Sequence, residues 1–140
     1  MIEKMDKKTS NTKAIFWDLQ GTLGGEATED IVRFAPYSFA REALQTAKEE
    51  DNCDCKKPKT GLIHYCAERY SLIISECYVI GDIGKNEIVM AKRAGCKGIL
   101  VMTGGGKGSL GEYRYTWNAY EADFIANDAL EAVKIVTRIA

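Results

Sequence analysis

Three short stretches hold the residues whose types and spacing suit chemistry. Asp18 follows the apolar run Ala14-Ile15-Phe16-Trp17 and precedes Gly21-Thr22. Asp82 follows Cys77-Tyr78-Val79-Ile80-Gly81. Between them lies Cys53-Asp54-Cys55-Lys56-Lys57-Pro58. A short apolar run closed by turn residues reads as a buried strand. Each acid then stands at the carboxyl end of a strand, where open α/β sheets bind their ligands. Parallel strands bring those ends to one edge, so the two carboxylates converge there. Converging acids repel unless a cation sits between them, and hard oxygen ligands select Mg²⁺. Lys57 adds positive charge to the same edge. A nucleophilic Asp, a magnesium ion and a lysine are the parts needed to move a phosphoryl group. Asp18 is thus the candidate nucleophile, and the competing reading is an Asp that only starts a turn.

The elements that must position these groups alternate along the chain. Strands are expected at 14–17, 77–80, 98–102 and 123–126, and helices at 37–50, 60–70, 86–94 and from Asn127 onward. Ser38, Thr60 and Asn127 are the expected caps, and Gly95 stands where a C-cap glycine belongs. Residues 26–36 show no clean period. The polar and aromatic segment 107–121 reads as loop. Alternating strands and helices imply a parallel sheet with right-handed crossovers. We expect one α/β domain over residues 13–140, a three-layer sandwich around a short parallel sheet, preceded by a mobile tail at 1–12.

Bulk properties narrow the class. The 140 residues are enough to bury a core, and 46% hydrophobic with 28% charged is ordinary for a globular protein. A formal net charge of −1 gives no field to recruit nucleic acid or a membrane surface. No apolar run is long enough to cross a bilayer. Residues 1–12 have no apolar core of the kind a signal peptide carries. Five cysteines, an odd count without disulfide-framework spacing, point to a reducing, cytoplasmic setting.

Taken together, these stretches resemble three of the four motifs of the haloacid dehalogenase (HAD) superfamily. DLQGT at 18–22 resembles the first motif, usually DxDGT. KKP at 56–58 resembles the third. VIGDIGKNE at 79–87 resembles the fourth, usually GD with another acid four residues later. The runs CDCKKPKTGLI, AKRAGCKGILVMTG and DALEAV resemble the branch holding heptose-bisphosphate phosphatase and the histidinol-phosphatase domain. The resemblance implies a reduced Rossmannoid core without a large cap domain. It also implies a Mg²⁺-dependent phosphatase acting on a small phosphorylated metabolite, such as a sugar phosphate. Asp18 would carry the aspartyl-phosphate. Thr22 and Gly21 would support the loop and phosphate, and Lys57 would hold the charge on nucleophile and phosphate. Lys56 would reach a second anionic group, or stay solvated. Asp18, Asp82, Asn86 and the backbone carbonyl of Gln20 would bind the metal.

Departures from the pattern matter as much. Gln20 replaces the usual second Asp, and an amide cannot shuttle a proton, a contribution typically worth about 10²–10⁴ in rate. Asn86 stands where the fourth motif has an acid, with Glu87 as a neighbouring substitute. The second motif is missing, because 48–51 runs straight into Cys53. Without its strand, 14–17 would lie on an open edge, which invites pairing. We expect residues 26–36 or a second copy of the chain to cover it. These losses support an alternative reading, a degenerate member that binds phosphate or a partner with little turnover. A receiver-type signalling domain fits worse, since its acceptor Asp stands in the middle of the chain.

The remaining candidates have bland readings that we prefer. Zinc at Cys53 and Cys55 wants four ligands, and free thiols are favoured. His64 reads as a helix-surface residue, and Cys66, Cys77 and Cys96 as core thiols. Gly104–Gly106 with Lys107 would cradle a phosphate or form a mobile loop, the latter favoured. Trp117, Tyr113, Tyr115 and Tyr120 would pack on the sheet edge rather than cover the site. Scattered basic residues argue against a nucleic-acid surface.

Overall fold

The computed structural model of the chain describes residues 2–4, 13–18, 21–23 and 56–139. Its centre is a run of adjacent parallel strands, β2 (Ala14–Trp17), β3 (Tyr78–Gly81), β4 (Lys97–Val101) and β5 (Phe124–Ala126). Phe16 pairs with Val79, Val79 with Gly98, and Leu100 with Ile125. Helices α1 (Gly61–Tyr70), α2 (Val89–Ala94), α3 (Gly106–Leu110) and α4 (Ala129–Ile139) connect or follow the strands. Alternation sends Ala14, Phe16 and Val79 to one face, against Ile63 of α1 and Met90 of α2. Ile15, Trp17, Ile80 and Val101 point to the other face, against Ala132 and Val136 of α4. Both faces are covered, so the strands can be apolar at every position, as parallel strands usually are. Each fully buried aliphatic side chain contributes about 1.5–3 kcal/mol. The result is the three-layer α/β core that the strand pattern implies.

The outer edge of β2 pairs with an element that the sequence pattern does not suggest. A short strand β1 (Ile2–Lys4) pairs antiparallel with it, Ile2 opposite Phe16 and Lys4 opposite Ala14. Three residues of the expected tail thus form a strand that pairs with Ala14, Ile15 and Phe16. The expected helix at 37–50, residues 26–36 and Cys53 and Cys55 lie outside the described residues.

Other elements depart in detail. Segment 107–121, expected as loop, contains α3 and a 3₁₀ turn at Arg114–Trp117. Trp117 organises it: the indole is buried, and its N–H donates to the Ser109 carbonyl at 2.9 Å. The Arg114 guanidinium lies 3.9 Å from the centroid of the indole ring. Tyr113 and Tyr115 stay exposed. Asp128 rather than Asn127 caps α4, accepting the Glu131 N–H at 2.8 Å. Glu131 in turn accepts the Asn127 N–H, a reciprocal arrangement close to a capping box. Thr60 precedes α1 but makes no side-chain cap bond. Gly95 ends α2 in the left-handed region, φ +90°, with its N–H on the Ala91 carbonyl, as expected. Cys66, Cys77 and Cys96 are buried, and burial pushes the Cys66 thiol up to about 11 and the Cys96 thiol up to about 12. Such thiols are inert. His64 is exposed on α1.

Candidate active site

The carboxyl edge of the sheet gathers the polar residues. Asp18 N–H donates to the Ile80 carbonyl at 2.9 Å, so the β2–β3 ladder runs one residue past β2. That bond fixes where the Asp18 side chain starts, beside the turn that carries Asp82. Gly21 follows in the left-handed region, φ +77°. This conformation, natural to glycine, folds the chain back so that the buried Thr22 hydroxyl donates to Asp18 Oδ2 at 3.2 Å. Lys57 Nζ donates to Asp18 Oδ1 at 2.9 Å and pairs with Glu87 Oε1. Lys57 leads into a cis Lys57–Pro58 peptide. Lys56 is exposed. Gln20 lies outside the described residues.

Glu87 is the residue that motif reasoning placed second. The stretch Gly84–Ile88 is a π turn, with the Val89 N–H bonded to the Gly84 carbonyl five residues back. A π turn absorbs one extra residue in a helix and often marks functional sites. Here it brings the acid five residues after Asp82, not four, to the edge. Glu87 is 1% exposed, and its Oε2 accepts the Ile83 N–H at 3.0 Å. Asn86 contributes its backbone N–H to the Ile83 carbonyl. The signal in the sequence was an acid abutting the apolar run Ile88-Val89-Met90. An acid there is either misplaced or functional.

Asp18, Asp82 and Glu87 each offer an oxygen, and these oxygens lie within 4.8 Å of one another. Burial pushes the Asp82 carboxyl up to about 6, with Asp18 adding to the rise and the Gly105 N–H opposing it. Burial likewise pushes Glu87 up to about 7 against the pull of Lys57. Burial works to lower Lys57, but the charges of Glu87 and Asp18 outweigh it, and the net shift is upward. Two of the three acids, Asp18 and Glu87, thus share the one ammonium of Lys57, while Asp82 accepts the Gly105 N–H. An all-oxygen donor set with surplus negative charge fits a hard divalent cation such as Mg²⁺.

Fold and edge together define a class. It is an α/β protein with a carboxylate–lysine centre at the carboxyl ends of parallel strands. Residues 54–132, more than half of the chain, match the family model described as HAD-hydrolase-like, and the chain belongs to that family within the HAD superfamily. A D-glycero-D-manno-heptose-1,7-bisphosphate 7-phosphatase from Thermosynechococcus vestitus is 35% identical over 116 residues, 81% of this chain and 57% of that protein. The D-glycero-beta-D-manno-heptose-1,7-bisphosphate 7-phosphatase of Pseudomonas aeruginosa is 38% identical over 64 residues, 45% of this chain and 35% of that protein. Among solved structures, a D,D-heptose 1,7-bisphosphate phosphatase from B. bronchiseptica, complexed with magnesium and phosphate, superposes with a TM-score of 0.55. It shares 26% identity and covers 65% of this chain and 48% of the other. The chain therefore spans well under two thirds of the length of the relatives it matches. Among the described residues, no helix is long and apolar enough to cross a membrane.

Proposed function

We propose that the chain is a Mg²⁺-dependent phosphohydrolase. In this reading it cleaves a small phosphomonoester, with a sugar phosphate as the favoured class. One observation carries it: the Asp18 carboxylate is held at once by the Thr22 hydroxyl and the Lys57 ammonium, beside Asp82 and Glu87. An Asp gripped on both oxygens is oriented for in-line attack on phosphorus. Asp18 forms the new P–O bond as the P–O bond to the substrate breaks, and the leaving alkoxide takes its proton from solvent water. Water then cleaves the aspartyl-phosphate, releasing inorganic phosphate and restoring Asp18. Lys57 offsets negative charge on nucleophile and phosphoryl oxygens. Asp18, Asp82 and Glu87, with the Gln20 carbonyl, would hold the metal, which supplies charge stabilisation to the phosphoryl oxygens. The substrate class rests on the heptose-bisphosphate phosphatases among the relatives. The cysteine pattern supports a cytoplasmic setting.

A second reading has an observation of its own. Gln20 removes the usual proton shuttle, and the outer neighbour of β2 is the antiparallel β1, which presents no carboxyl end at the site edge. A protein built this way would bind phosphate or a partner and turn over little. Hydrolysis of an aryl phosphate with and without Mg²⁺, beside Asp18→Asn, separates the two. We expect Mg²⁺-dependent release of phosphate that the substitution abolishes. Equal background rates in both proteins, with Mg²⁺ still bound, would favour the binding-only reading.

A further inference from the structure

The turn after β4 packs against the acid-bearing turns. Thr103 Oγ1 donates to the Gly21 carbonyl at 2.6 Å. Gly104 sits in the left-handed region at φ +53°, and a Cβ there would lie 2.6 Å from the Gly21 Cα and run into Asp82 Oδ2. The Gly105 N–H donates to Asp82 Oδ2 at 2.7 Å, fixing one of the two carboxylate oxygens. Four residues further on, Ser109 is 4% exposed. Its hydroxyl donates to the Asp82 carbonyl at 3.0 Å and accepts the Gly84 N–H at 3.1 Å. Its own carbonyl accepts the Trp117 indole N–H. One seven-residue stretch thus ties the Asp18 turn, the Asp82 turn and the start of the π turn to one another.

We propose that Thr103 and Ser109 are positioning residues that set the geometry of the metal-binding carboxylates, Thr103 through Gly21 and Ser109 through the backbone on either side of Ile83. The inference rests on the proposed metal-dependent site. Neither hydroxyl bonds to a carboxylate, so each acts through the backbone it holds. Outer partners of metal ligands characteristically matter by roughly 10–100-fold in metal affinity.

The test uses the full chain and Mn²⁺ as the probe, with binding measured by calorimetry and melting measured without metal. Thr103 is at the surface and Thr103→Val removes only the donor. We expect it to weaken Mn²⁺ binding about tenfold with little change in the metal-free melting temperature, and Thr103→Ser to restore binding. Ser109→Ala is expected to weaken binding at least as much. If Ser109→Ala does not fold, the threonine pair decides alone. Wild-type binding with both variants within twofold of it overturns the inference and leaves the proposed function standing. So does a loss of melting temperature with unchanged Mn²⁺ affinity, the mark of a merely structural role. A wild-type protein that takes up no Mn²⁺ overturns the metal-dependent reading, and this inference with it.

Discussion

Asp18 and Glu87 share Lys57, and this sets what single substitutions should do. Removing the Glu87 charge while keeping its shape takes an acid out of the cluster and leaves Lys57 with one partner. Glu87→Gln is expected to weaken Mg²⁺ binding by roughly 10–100-fold, measured by calorimetric titration. Asn86→Ala, one residue earlier, should change it by less than threefold; the reverse order would mean that the fourth motif reads in its usual register. Gln20 gives the complementary test. An Asp restores a group that can give and take a proton, a contribution of about 10²–10⁴ in rate. Gln20→Asp should therefore raise the turnover of an aryl phosphate by at least tenfold, read from steady-state kinetics at saturating Mg²⁺. No gain would mean that the protein lacks more than a proton shuttle.

At the scale of elements, the π turn and the edge strand are where the fold accommodates departures. Gly84 opens the π turn directly against the Trp117 indole, and a Cβ there would enter the ring. Overpacking of this kind costs about 1–3 kcal/mol. Gly84→Ala should lower the stability by that amount in urea unfolding, because neither the ring, held by Ser109 and Arg114, nor the turn can step aside. At the other edge, β1 is three residues long and pairs with Ala14, Ile15 and Phe16 of β2. A chain lacking residues 1–5 would expose the backbone of Ala14–Trp17, and exposed apolar edges pair. Sedimentation should then show association that rises with concentration, beyond that of the full chain. Equal sedimentation of both would mean that something else shields the edge.

Across the whole molecule, the carboxylate cluster links stability to pH and metal. Asp82 and Glu87 titrate at about 6 and about 7 in the folded chain, above their ordinary 3.8 and 4.5. Between these limits the folded chain binds more protons than the unfolded one, so stability falls as pH rises from about 4 to about 7. The metal-free protein should melt at a higher temperature near pH 5 than near pH 8. Excess Mg²⁺ should reverse the trend, because binding needs the ionised acids and stabilises only the folded chain. Melting curves at both pH values with and without Mg²⁺ check this. A metal-free protein that grows more stable towards pH 8 would mean that Lys57 outweighs burial at the cluster.

The sequence by itself determined the parallel α/β core and two of its edge acids. Asp18 and Asp82 each close an apolar run, and such a run has few folds open to it other than a buried strand, which puts its last residue at the sheet edge. Lys57 was legible from the same pattern of motifs. Glu87 was harder to read, because a helix that gains one residue can absorb it in a π turn or shift its whole face. Only packing against Trp117 and Leu100 decides between them. The same holds for β1, which has a local sequence indistinguishable from a solvated tail and becomes a strand because β2 offers it a backbone. Thr103 and Ser109 carry no motif at all. They matter because the tertiary structure brings the end of β4 against turns 21 and 82, contacts between residues far apart in the chain that no local pattern encodes.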